Sequence, residues 1–213
     1  MASFRTHISV AVIGSATASV LCVQAGMVSQ PQGLILLFLG ALAGILPDVD
    51  SDHSVPTRIL FKILSAAFTL LVLLYFEGQM SFIYLLALGL AGALSVHYVL
   101  YPLFASVTVH RGLFHSVPAA LILGLSTAGI CLYLFHWTLH LAWLAACFAA
   151  GGYLLHLLLD EIYSVNFIGQ TLKASFGSAL TLFSISSWIS YSLLYLLVVA
   201  GFYILPLPQL LIF

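Results

Sequence analysis

The feature that most constrains this chain is the length of its uncharged apolar runs. Segments without a single Asp, Glu, Lys or Arg extend from Thr6 to Pro47, Gln79 to His110, Gly112 to Leu159 and Ala174 to Phe213. Each exceeds the roughly 20 residues that cross a bilayer core, and the first and third are long enough to fold back as two spans. Of its 213 residues, 63% are hydrophobic and 5% charged. Soluble domains carry about 25% charged residues, so no soluble domain of useful size is expected. The basic start of "MASFRTHISVAVIG" runs straight into more membrane sequence, and it reads as a retained first span.

Turn-forming and polar residues interrupt the runs at "SQPQG" (29–33), "PDVDSDHSVPTR" (47–58), "EGQ" (77–79), "VTVHRG" (107–112), "HWTLH" (136–140) and "DEIYSVNFIGQTLKASFG" (160–177). They predict an all-α, polytopic transmembrane helix bundle in one domain, 1–213. About seven spans fall at 8–28, 33–47, 58–76, 81–106, 116–135, 139–160 and 178–205. The second is short for a full span and reads as a half-helix or one ending in a water-filled dent. Arg5, Arg58, Lys62, Arg111 and Lys173 all fall on one side of a seven-span arrangement, which the positive-inside rule makes N-in, C-out. Cys22, Cys131 and Cys147 lie unpaired in apolar segments and read as reduced packing residues.

The same topology gathers the acids. Asp48, Asp50 and Asp52 end the second span, Asp160 and Glu161 end the sixth, and only Glu77 falls on the far side. His7, His53, His110, His115 and His156 fall at the same ends as the acids. A helix C-terminus carries roughly half a negative charge, so a carboxylate there costs about 0.3–1 kcal/mol unless compensated. A divalent cation between two such ends reverses that cost. In "HLLLDEIYS" His156 and Asp160 are spaced i, i+4, on one helix face. "PDVDSDHS" alternates three aspartates after a proline, and in "HRGLFHS" Gly112 offers a turn that lets His110 and His115 converge. Mixed imidazole and carboxylate ligands suit zinc, with manganese or iron as alternatives, and are typical of hydrolytic centres.

Structural roles compete for several of these residues. Asp52 or Ser54 can cap a helix starting near Pro56, and Ser116 one carrying Pro118 in its first turn. The Asp-x-Asp-x-Asp run is no EF-hand, since its sixth position is His53 rather than Gly and its twelfth Ile59 rather than Glu. His97, His136 and His140 read as interfacial or hydrogen-bonded histidines, and the tryptophans as interfacial anchors.

In this order, "LPDVDSDHS", "HRGLFHS" and "HLLLD", with a histidine near the start of the first span, resemble the membrane-bound metal-dependent hydrolases. That family includes the LexA-regulated inner-membrane protein of enterobacteria. The resemblance covers most of the chain. It implies a bacterial inner-membrane location and metal ligands at His7, Asp48, Asp50, His110, His115, His156 and Asp160. The family often has His-Pro after its second aspartate, where this chain has "SDHSVP". Its hydrolytic character rests largely on these motifs.

The expected activity is therefore metal-assisted hydrolysis of a phosphoester in a lipid or lipid-linked substrate at the cytoplasmic membrane face. Asp50 or Asp160 is the candidate general base, and Arg111 the candidate bidentate phosphate ligand. No G-x-S-x-G elbow, HExxH or P-loop is present. The competing readings are a cation or proton transporter using the same cluster, whose site would lie near the bilayer midplane, and a noncatalytic membrane protein with a structural metal. Five basic residues without a stripe give nucleic-acid binding no support.

Overall fold

The computed structural model describes residues 3–50, 55–76, 78–102, 113–166, 171–172 and 180–208. Among them are seven α-helices: α1 (Phe4–Gln24), α2 (Gln30–Ala43), α3 (Val55–Tyr75), α4 (Phe82–Ser95), α5 (Val117–Gly129), α6 (Leu139–Ser164) and α7 (Trp188–Ile204). Six helical segments are long and apolar enough to cross a membrane. The remaining helix, α3, has 21 residues and carries Arg58 and Lys62 in its first two turns. The all-α fold with about seven spans is what the apolar runs predict. Side chains such as Ile83, 78% exposed, and Ile185, 85% exposed, face outward as lipid-contacting residues do.

Helix ends differ from the sequence reading where local capping overrides hydropathy. The first helix starts at Phe4, four residues before the predicted start, because the Ser3 side chain accepts the Thr6 amide. His7 is thereby inside the helix. The second starts at Gln30, where Ser29 and Gln32 form a reciprocal capping box and Pro31 occupies the first turn. It stops at Ala43, and a 3-10 turn (Leu46–Asp50) follows. α4 and α5 each end in a π-helical turn, at Val96–Leu100 and Ile130–Leu134. α6 runs one turn beyond the predicted end at Asp160, so the pair Asp160–Glu161 lies within the helix, about one turn before its end, rather than closing it. α7 begins ten residues later than predicted, because Ser184, Ser186 and Ser187 divert the chain into a short 3-10 turn. A two-residue antiparallel ladder pairs Val165 with Leu172 and Asn166 with Thr171.

The chain divides into two compact units, Met1–Pro47 with Arg111–Phe213, and Asp48–His110. In the first, α6 packs against α1, α2 and α5, and α5 packs on α7. Small residues set the spacing, as expected in lipid, where close van der Waals packing must replace the hydrophobic effect between helices. A stripe of His7, Ala11, Ser15 and Ser19 is buried along α1. It lies against glycines of α2: a Cβ on Gly40 would meet Ser15 Oγ at 2.5 Å, and one on Gly44 would meet Ala11 Cβ at 2.5 Å. On its other side α2 touches α6 backbone to backbone, since a Cβ on Gly152 would lie 2.0 Å from the Gly40 carbonyl oxygen. The three cysteines are free, and Cys131 is part of the apolar core with Leu36, Ala142, Ala145 and Phe148. In the second unit α3 pairs with α4, and Ser65 and Thr69 donate to the Ala93 and Gly89 carbonyls at 3.4 and 3.3 Å.

Candidate metal centre

The glycine contact between α2 and α6 determines where His156 goes. Gly44 follows Gly40 by four residues, and His156 follows Gly152 by four. One helical turn past the closest approach, the two helices bring the His156 ring against the Gly44 carbonyl, with Nδ1 at 2.7 Å. A carbonyl only accepts, so Nδ1 carries the proton and donates. The ring then presents Nε2 to the other side. Metal-binding histidines are oriented in this way, through a hydrogen bond from the second ring nitrogen.

That Nε2 lies 4.0 Å from Asp160 Oδ2, one turn further along α6. His115 enters from the segment before α5, with its Nε2 3.8 Å from the same oxygen. The segment is held from both sides. Ser116 caps α5 by accepting the Ala119 amide and donates to the Leu113 carbonyl, while the Tyr153 hydroxyl of α6 donates to the carbonyl of Phe114. The Val117 amide donates to the Thr181 carbonyl at 3.1 Å. Sequence spacing identified Ser116 as a cap, and it is one.

His7 completes the arrangement from α1. Its Nε2 lies 3.1 Å from Asp160 Oδ1, and its ring stacks on His156 with centroids 3.8 Å apart and an interplanar angle of 14°. Asp160 accepts at Oδ1, so His7 donates from Nε2. Three imidazoles therefore surround one carboxylate, and all four side chains are at most 2% exposed. One ligand atom from each of His115, His156 and Asp160 lies within 4.8 Å of the others, a separation at which a single ion can engage all three. Buried ionisable groups in a membrane protein are costly and are characteristic of functional sites.

Asp48 lies on the 3-10 turn after α2, half-buried, at the start of the second unit. The backbone of Asp50 closes that turn. The Asp50 side chain, Asp52, His53, His110, Arg111 and Lys173 lie outside the described residues. Glu161 is not in the Asp/His group among the described residues. Sequence reasoning missed Gly40, Gly44, Gly152 and Tyr153, which position the site without contributing a ligand atom. The signal for the first two was present as "GALAG", a Gly-x-x-x-Gly spacing in an apolar helix.

No curated protein and no solved structure matches the chain. A family match described as YdjM inner membrane protein covers residues 1–206. Nearly the whole sequence thus falls within one family of integral inner-membrane proteins: the chain belongs to the YdjM inner membrane protein family.

Proposed function

We propose that this protein is a membrane-bound, metal-dependent hydrolase that cleaves a phosphoester of a lipid or lipid-linked substrate at the cytoplasmic membrane face. The observation that carries this reading is the buried convergence of His115 and His156 Nε2 on Asp160 Oδ2, at 3.8 and 4.0 Å. These separations are too long for hydrogen bonds. Ligand atoms about 2.0–2.2 Å from a tetrahedral ion lie about 3.4 Å apart, so each nitrogen needs to approach Oδ2 by only about half an ångström to share a zinc ion with it. The donor set also admits manganese or iron.

His115, His156 and Asp160 would hold the ion. The family resemblance adds Asp48 and His110 as further candidate ligands, with Asp50 kept for the proton. The ion supplies Lewis acidity, activating water and offsetting charge on a phosphoryl oxygen. The hydrogen bond from His7 occupies Asp160 Oδ1 and leaves Oδ2 turned toward the two ligand nitrogens. His7 therefore acts as a positioning residue, and Asp50 takes the role of general base. Arg111 would bind the phosphate through its planar fork. The clustering of basic residues beside these helix ends supports the cytoplasmic orientation.

The test is hydrolysis of bis(p-nitrophenyl) phosphate and of phospholipid vesicles by purified protein loaded with zinc, manganese or iron. Turnover lost on chelation and in Asp160→Asn is expected; no turnover with any of the three metals contradicts the reading. His7→Ala is expected to weaken metal affinity about 10- to 100-fold while preserving the saturating stoichiometry, as loss of an outer hydrogen bond does. His7→Gln, which can still donate, should recover part of it. A fall in stoichiometry at saturation would make His7 a ligand instead.

A further inference from the structure

A groove of about 590 Å³ runs between α3 and α4, wholly within the second unit. Its charged and ring-bearing residues lie toward one end. The hydrogen bonds from Ser65 to Ala93 and from Thr69 to Gly89 fix the two helices antiparallel and engage both hydroxyl donors within the helix pair. Lys62, His97 and Tyr98 consequently gather at one end of the groove, where Phe61 meets Tyr101 edge-on at 5.2 Å. Ala66, Leu70, Leu73 and Leu94 line the rest, together with Ser65 and Thr69, whose hydroxyls are engaged by the α4 carbonyls. Lys62 is exposed, and Arg58 stands one helical turn before it on the same face of α3, also exposed.

We infer that this groove holds one acyl chain of an anionic phospholipid, with the lipid phosphate against Lys62 and His97. Three observations carry the assignment. The cationic end matches the charge of a phosphate. The wall beyond it is mostly apolar, its two hydroxyls being bonded to α4 carbonyls, and it is built from helices that contact lipid, as the exposed Leu70 and Leu94 indicate. The distance also fits: from Lys62 to Leu73 the helix rises about 16 Å, close to half of a hydrocarbon core about 30 Å thick, so the groove is one leaflet deep. The site shares no residue with the metal centre and does not rest on the hydrolase reading.

Native mass spectrometry of the full chain in detergent tests this, with dioleoylphosphatidylglycerol and dioleoylphosphatidylethanolamine as probes. Preferential retention of the anionic lipid is expected. Lys62→Gln should weaken that binding about five-fold, the worth of one basic residue near an anionic lipid surface, and leave the zwitterionic lipid unaffected. Ala66→Phe, which fills the groove, should weaken both. Equal retention of the two lipids, or no effect of either substitution, would overturn the assignment. Displacement of the lipid by soluble glycerol 1-phosphate at equal concentration would overturn the acyl-chain component, since the head group alone would then account for binding.

Discussion

Gly152→Ala is expected to destabilise the protein by about 3 kcal/mol or more, whereas Gly151→Ala, one residue away, should be neutral or stabilising by up to about 1 kcal/mol. The contrast follows from what each new methyl would meet. A Cβ on Gly152 falls 2.0 Å from the Gly40 carbonyl oxygen and 2.9 Å from its carbonyl carbon, and both are backbone atoms that no rotamer change can move. Restoring an ordinary carbon–oxygen contact of about 3.3 Å requires α2 and α6 to separate by about 1.3 Å. That movement also stretches the 2.7 Å hydrogen bond from His156 to Gly44 past its useful range. Gly151 has nothing within 4 Å of its added Cβ, so the substitution only improves helix propensity. Thermal melting in detergent followed by tryptophan fluorescence distinguishes the two. Equal behaviour would remove the α2–α6 contact as the determinant of the site's geometry.

Asp160→Asn is expected to abolish metal retention and to change stability in opposite directions with and without metal. Asp160 is fully buried among three imidazoles. The asparagine keeps an oxygen for the His7 hydrogen bond and removes the buried charge, so metal-free protein should melt at the same temperature or higher. Metal-loaded wild type gains stability by mass action, about 2.7 kcal/mol when the free ion is at 100 times its dissociation constant. The variant should show no such gain. A carboxylate serving only as a structural partner of His7 would instead make the variant less stable whether or not metal is present.

The sequence carries the membrane character and the number of spans because each apolar run is long and each interruption is chemically abrupt. It also carries the His156–Asp160 pair, since an i, i+4 spacing fixes a shared helix face whatever the tertiary structure does. The Ser116 cap was legible for the same reason, because the serine and Pro118 act within one turn. His7 was legible only as a residue near the start of a span. Its place against Asp160 depends on Ser3 starting α1 early and on a stripe of small residues, Ala11, Ser15 and Ser19, that aligns α1 with α2. The orientation of His156 depends on a carbonyl oxygen, and carbonyls are present at every position of a sequence. Which one is used follows from the glycine contact between helices distant in the chain. The π-helical turns at Val96–Leu100 and Ile130–Leu134 left no readable sign, since their residues satisfy the same hydropathy as an α-helix.

The measurement that bears most directly on the central claim is the metal content of the detergent-purified protein by elemental analysis, in wild type and in His115→Ala and His156→Ala. Stoichiometric zinc, manganese or iron in wild type, lost in both variants, is the predicted result. It would mean that the segment before α5 and the last turns of α6 build one ion site. Wild type without bound metal after reconstitution with each of the three ions, or metal retained in full by both variants, would contradict the account.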